Sequence, residues 1–230
     1  YVTDQRQSMH FEQVFRVCEL SNMTKDTRLL HLPHGTINGI DGKPYKTRSG
    51  DNPKLEGLFE KAREIFISKK ESNKDMSRED IDKIVNSILK FADLQNSREK
   101  DYVFDLNKFS DVSGKTGPYI LYTYLRINKI LKEEGMEYNL TNKIYNKADR
   151  DLRLKMLDYV DALELSYRER KPHYLAEYLY SLCTVCNIFY QTNHISGLED
   201  KVNKNDWLYV LTISNNLIKE MLYLLGIEVP

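Results

Sequence analysis

This sequence has no net charge, little cysteine, no long apolar run and no visible leader. Lysine plus arginine number 34 and aspartate plus glutamate 34, so the formal charge is zero. That removes the diffuse basic excess by which most nucleic-acid binders attract phosphate. Only a locally basic face is left as a route to such a partner. Three cysteines, an odd number, argue against a disulfide framework and suit a reducing cytosol. No apolar stretch approaches the roughly 20 residues that a membrane span needs. Tyr1-Val2-Thr3-Asp4 has no basic segment followed by an apolar one, so no signal peptide is visible. The start without methionine reads as a piece of a longer chain. A chain of 230 residues, with 16 tyrosines, makes one large domain or two small ones.

What is present divides near residue 75. Tyr1-Val2-Thr3 reads as the end of a strand. Ser8 is placed to cap a helix carrying Phe11, Val14, Phe15 and Cys18 at helical spacing. Leu29 to Ile37 reads as a second strand, interrupted by Pro33 and Gly35, and a turn follows at Asp41-Gly42. Pro53 suits the first position of a helix with Leu55, Leu58, Phe59, Ala62, Ile65 and Phe66 on one face. The polar stretch Ser68 to Asp75 is the expected linker. About two strands and two helices are too few for a covered parallel sheet, so residues 1–75 read as part of an α/β domain.

From residue 76 the signal is helical. Ser77-Arg78-Glu79-Asp80 has the form of a capping box. It opens a helix with Ile81, Ile84, Val85, Ile88, Phe91 and Ala92 along one side. After a looser stretch from Asn96 to Gly114, further helices are predicted. One runs from about Pro118 to Glu134. Another runs from about Asp149 to Arg168–Arg170, with Leu152, Met156, Val160, Leu163 and Tyr167 in register. A third begins at Pro172, with Leu175, Leu179, Leu182, Cys186 and Phe189. A last one carries Trp207 through Leu225 and closes at Gly226. The fold class expected is therefore mainly α: a helical bundle over 76–230 behind a partial Rossmann-like α/β segment.

The helix after Pro118 is the most informative. Ile120, Tyr124, Ile127 and Leu131 form a core stripe. Tyr119, Tyr122, Arg126 and Lys129 form a second stripe, offset by about 100–200° at roughly 100° per residue. Aromatics followed by cations suit a single-stranded nucleic acid, whose bases stack and whose phosphates meet the charges. On pattern alone the plainer reading is preferred: tyrosines packed on a neighbouring helix and solvated cations. Cys183 and Cys186 lie one turn apart on an apolar helix. A structural zinc needs four ligands, no second pair supplies them, and core packing is expected. Two histidines, His31 and His34, do not make a metal site, and no metal is expected. The loop from Lys43 to Gly50 gathers Lys43, Lys46 and Arg48 between glycines, which suits a polyphosphate. It lacks the P-loop pattern.

Together these residues resemble arginyl-tRNA synthetases. Gly42-Lys43-Pro44-Tyr45-Lys46-Thr47-Arg48-Ser49-Gly50 looks like that family's version of the class I KMSKS loop. Ala92-Asp93-Leu94, Arg98, Asp101-Tyr102-Val103-Phe104-Asp105 and Gly114-Lys115-Thr116-Gly117-Pro118-Tyr119 with Tyr122 are similar to the start of its anticodon-binding domain. Leu224-Leu225-Gly226-Ile227 resembles its C-terminal signature. The resemblance implies ATP-dependent activation of arginine and its transfer to tRNA-Arg, with Mg²⁺ accompanying ATP. It implies that Lys46 and Arg48 stabilise charge on the phosphates, although Ser49 stands where the motif has its second lysine. It implies that Gln7 and His10 line the arginine and ATP pocket. Tyr119, Tyr122 and Tyr190 fall where the family places anticodon-contacting aromatics, Asn187 flanks them, and Arg126 and Lys129 join that face. With the resemblance, the second stripe reads as a binding surface.

No stretch resembles the family's HIGH motif, so these residues alone are expected to be inactive and to hold no cofactor. The partners implied are tRNA-Arg, with arginine and ATP in the whole enzyme, in a cytoplasmic monomer without membrane contact. Residues 1–75 are assigned to the end of the catalytic domain and 76–230 to the anticodon-binding domain. Beside a purely structural helical bundle, two other readings remain. One is a stand-alone helical RNA-binding module without catalysis, which has no reason to keep a KMSKS-like loop. The other is a related class I enzyme such as that for cysteine, which the Asp101–Asp105 and Gly114–Tyr122 blocks disfavour.

Overall fold

The computed structural model describes residues 1–44, 55–69, 75–135, 141 and 143–230. They form two compact units: Tyr1–Asn52 with Asn96–Asp105, and Pro53–Gln95 with Leu106–Pro230.

In the first unit β1 (Val2–Asp4) pairs in parallel with β2 (Leu32–His34), Val2 opposite Leu32. A second parallel pair joins β3 (Ile37–Asn38) to β4 (Tyr102–Val103). The expected strand from Leu29 to Ile37 is thus two short strands. They are parted at Gly35, which donates its N–H to the Arg98 carbonyl. A Cβ at Gly35 would lie 2.5 Å from the Lys100 carbonyl carbon, so only glycine lets these segments approach. Asp101 accepts the Thr36 N–H at 2.6 Å, and that bond holds its carboxyl below the ordinary range. Between β1 and β2 runs α1 (Ser8–Leu20). Ser8 is not its cap. A 3₁₀ turn over Gln5–Gln7 precedes the helix, and the Ser8 hydroxyl donates back to the Gln5 carbonyl. The packed face of α1 is Phe11 and Phe15, whose rings meet Tyr1 at 5.4 Å, with His31 stacked on Phe11 at 4.8 Å. Val14, expected on that face, is exposed.

The second unit is helical. Its first helix, α2 (Leu55–Lys69), takes in Ser68 and Lys69 from the expected linker; residues 70–74, like Pro53, lie outside the described residues. Ala62 and Phe66 of α2 are buried. Arg63 bridges Glu60 and Asp82, tying α2 to α3 (Arg78–Leu94). The α3 start follows its sequence: the Ser77 hydroxyl accepts the Asp80 N–H at 3.1 Å. A short α4 (Leu106–Phe109) leads to α5 (Gly117–Glu134). Thr116 caps α5 and Pro118 sits in its first turn, where a missing N–H costs nothing.

The long helix expected from Asp149 to Arg170 is two helices, α6 (Lys147–Leu157) and α7 (Tyr159–Glu169). The break at Asp158 is stabilised from outside the segment. The buried Tyr178 hydroxyl bonds the Lys155 carbonyl at 2.9 Å, with the Met156 carbonyl at 3.3 Å, taking up carbonyls that a continuous helix would use. The turn re-aims α7, so Val160 and Tyr167 face solvent, not the core. Next come α8 (His173–Thr192) and α9 (Lys201–Leu224). Leu179, Leu182 and Phe189 of α8 and Leu211 and Ile218 of α9 are fully buried. Gly226, at φ +67°, ends α9 while Ile227 returns its N–H to the Leu222 carbonyl.

A polar knot joins the segment before α6 to α9. Asp206 accepts from the Thr141 N–H and hydroxyl and from the Tyr145 hydroxyl. Fully buried Asp149 accepts from the Tyr145 N–H, Arg153 and the Trp207 indole. Burial opposes ionisation of Asp206, but its hydrogen bonds outweigh it and hold the carboxyl below the ordinary range. Among the described residues no helix is long and apolar enough to cross a membrane.

Candidate nucleic-acid interface

Helices α5 and α8 run side by side in the same direction. Lys115 meets Glu177, Arg126 meets Asn187 and Glu134 meets Ser196, each pair 61 or 62 positions apart. A constant offset of this kind is the register of parallel helices. Their shared outer face brings together five of the six residues expected to touch the anticodon.

Tyr122 is 51% exposed and presents its ring to solvent. The Arg126 guanidinium carbon stands 4.5 Å from the Tyr122 ring centroid and 5.8 Å from that of Tyr190. A cation held over aromatic faces keeps a planar, charged surface in place. Arg126 also donates to the Asn187 carbonyl oxygen at 3.3 Å. The Asn187 amide nitrogen donates to the Tyr119 hydroxyl and to the Thr123 hydroxyl, both at 2.9 Å. Tyr119 rests against Tyr180, with ring centroids 5.6 Å apart. The result is a strip of rings and guanidinium along about two turns of α5, roughly 10 Å at 1.5 Å per residue.

Lys129 does not join the cluster. It reaches one turn forward to Glu133 at 3.7 Å and is 74% exposed. Two members were not anticipated, Thr123 and Tyr180. Thr123 lies one turn from Tyr119 at the border between the core stripe and the outer stripe, and a helical wheel shows it there. Tyr180 occupies on α8 the position that the parallel register sets opposite Tyr119, and no local pattern marks it.

The remaining expected residues lie elsewhere. Gln7 and His10 are exposed at the start of α1, just past the carboxyl end of β1. Ligands of parallel sheets collect at that edge. Lys46 and Arg48 lie outside the described residues. Cys183 and Cys186 are buried in α8 without a disulfide. Burial pushes the Cys186 thiol up to about 12 and Cys183 well above its ordinary value. They are core residues, as their spacing suggested.

Comparison with known proteins finds matches along the whole chain. The family model described as the catalytic domain of class I tRNA synthetases (R) matches residues 1–106. The model described as the DALR anticodon binding domain matches residues 120–230. Arginine–tRNA ligase of Alkaliphilus oremlandii is 36% identical over 239 residues, covering all of this chain and 41% of the relative. That of Francisella tularensis is 35% identical over 241 residues, with the same coverage. Among solved structures, arginyl-tRNA synthetase from Plasmodium falciparum matches the whole chain at 26% identity with a TM-score of 0.78, over 40% of its own length. The Thermus thermophilus enzyme has the same fold, with a TM-score of 0.84 at 23% identity, again over 40% of its length. This chain thus spans about two-fifths of the length of the relatives it matches. With one catalytic-domain and one anticodon-domain match on the same chain, it belongs to the class I arginyl-tRNA synthetase family.

Proposed function

We propose that this chain serves an arginine–tRNA ligase, and that its helical unit grips the anticodon of tRNA-Arg. The observation that carries the proposal is the Tyr119–Tyr122–Arg126–Asn187–Tyr190 cluster on two parallel helices, all but Tyr119 inside the stretch 120–230 matched by an anticodon-binding family. Rings offer stacking worth on the order of 1–3 kcal/mol per base. Arg126 offers donors and charge to phosphate or to a base edge, and Lys129 extends the positive end of the strip.

In the reaction of the whole enzyme, the arginine carboxylate attacks the α-phosphorus of ATP and pyrophosphate leaves. The terminal ribose hydroxyl of the tRNA then attacks the activated carbonyl and AMP leaves. Mg²⁺ accompanies the ATP. Residues 1–75 contribute the end of the catalytic domain: Lys46 and Arg48 offset charge on the phosphates, and Gln7 and His10 line the pocket at the carboxyl edge of β1. Residues 76–230 form the tRNA-binding part, and the enzyme works as a cytoplasmic monomer. The catalytic-domain match over residues 1–106 speaks against a stand-alone RNA-binding module.

Nuclease footprinting of tRNA-Arg in the presence of the 230-residue chain tests the proposal. Protection confined to the anticodon stem-loop, and lost with Tyr122→Ala, is expected. Protection elsewhere, or none, overturns it. The same residues, lacking a HIGH-like stretch, give no arginine-dependent exchange of pyrophosphate into ATP.

A further inference from the structure

The hydrogen-bond polarity of the α5–α8 cluster can be worked out from valence alone. Arginine has no acceptor, so the Asn187 side-chain atom facing Arg126 is the oxygen. The amide nitrogen therefore faces Tyr119 and Thr123. Thr123 gives its hydroxyl proton to the Tyr119 carbonyl one turn back, at 3.0 Å, so toward Asn187 it can only accept. The two amide protons of Asn187 are thereby both used, one on Thr123 and one on the Tyr119 hydroxyl oxygen. Tyr119 accepts from inside, and its own proton is left to donate outward.

Resting on the anticodon-binding reading above, we infer that Asn187 is a positioning residue that does not touch the RNA. It acts through Tyr119 and Arg126. It turns the Tyr119 hydroxyl proton toward the ligand and braces Arg126 against the Tyr122 ring. The two groups that Asn187 orients, the Tyr119 O–H and the Arg126 guanidinium, thus meet a nucleotide as donors. At those two positions a base edge that presents acceptors is favoured over one that presents only donors, because a donor facing a donor leaves both unpaired.

Replacing Asn187 with aspartate keeps the shape and the acceptor for Arg126 but removes both donors. The carboxylate then accepts from Tyr119, whose hydroxyl proton turns inward. The test is a double-mutant cycle between positions 187 and 119, read by the affinity of the full 230-residue chain for a tRNA-Arg transcript, with thermal unfolding as the folding control. Tyr119→Phe and Asn187→Asp each weaken binding by about tenfold. The double variant is no weaker than either single one, because both remove the same outward proton. The salt slope of Tyr119→Phe stays at the wild-type value, since no charge changes, whereas Asn187→Asp makes it shallower because the new carboxylate offsets Arg126. Thr123→Val weakens binding, and Thr123→Ser, which restores the acceptor, returns it to the wild-type value.

Losses that multiply in the double variant overturn the inference, as does an Asn187→Asp variant that binds like the wild type. Either result leaves the anticodon reading standing, because the wild-type chain still prefers tRNA-Arg. Loss of that wild-type preference overturns the anticodon reading, and this inference with it.

Discussion

Adding a single methyl group at Gly117 should separate α3 from α5. A Cβ built there lies 2.3 Å from the Ser87 carbonyl oxygen and 2.5 Å from its carbon, where ordinary contact begins at 3.4 Å. The obstacle is backbone inside a helix, and Ser87 is itself fully buried with its hydroxyl bonded to the Ile84 carbonyl. No rotamer change relieves the clash, so α3 and α5 must part by about 1 Å. Overpacking of this kind costs about 1–3 kcal/mol, and a backbone obstacle belongs at the upper end. Alanine recovers less than the full helix-propensity gain of ~1 kcal/mol, because Gly117 is the first residue of α5. The expected net loss is about 2–3 kcal/mol. For a chain of this size it lowers the thermal midpoint by roughly 4–12 °C. Helical circular dichroism followed on heating reads it. Gly117 also lies two residues before Tyr119, so affinity for tRNA-Arg should fall as well. A Gly117→Ala midpoint equal to or above the wild-type value would refute the close-approach argument.

Three other outcomes follow from the geometry. Asp206 has a folded pKa below its unfolded one, so its stabilisation is present above pH ~4 and disappears as the pH falls through the folded value. Asp206→Asn should therefore lower stability at pH 7 and flatten the acid limb of the stability–pH curve; an unchanged acid limb would show that the carboxylate does not anchor Thr141 and Tyr145. Tyr178→Phe removes the hydroxyl at the α6–α7 break and should cost about 1 kcal/mol by urea denaturation; a more stable variant would mean that the hydroxyl is not needed there. An alkylating reagent at pH 8 should modify the native chain once, at half-buried Cys18. Cys183 and Cys186 should react only after unfolding, because burial keeps their thiols protonated. Three adducts on the native chain would contradict the buried placement.

The elements that were legible in the sequence are those whose signals are local. Pro118 marks the start of α5, Ser77 the start of α3, and Gly226 the end of α9, each by a signal that works through neighbouring residues. The break between α6 and α7 was not legible. Nothing near Asp158 forbids a helix, and the group that stabilises the turn, the Tyr178 hydroxyl, arrives from 20 or more positions away. The pairing of Ile37 with Tyr102 is non-local in the same way, so Asn96–Asp105 read as loose chain although it belongs to the first unit. At the candidate site, the stripe Tyr119–Tyr122–Arg126 was visible as a helical period. Its bracing by Asn187 and Thr123 depends on the parallel register of α5 and α8, which periodicity within one helix does not reveal. Lys129 shows the limit of a stripe: the right phase placed it on the outer face, but its partner is Glu133, not the rings.

The anticodon-binding claim is tested most directly by titrating the 230-residue chain with tRNA-Arg and with a non-cognate tRNA at two salt concentrations, beside a Tyr119→Ala/Tyr122→Ala variant. Preference for tRNA-Arg that weakens with salt and vanishes in the variant is the predicted result. Equal affinity for the two tRNAs, or a preference that survives loss of both tyrosines, would contradict it.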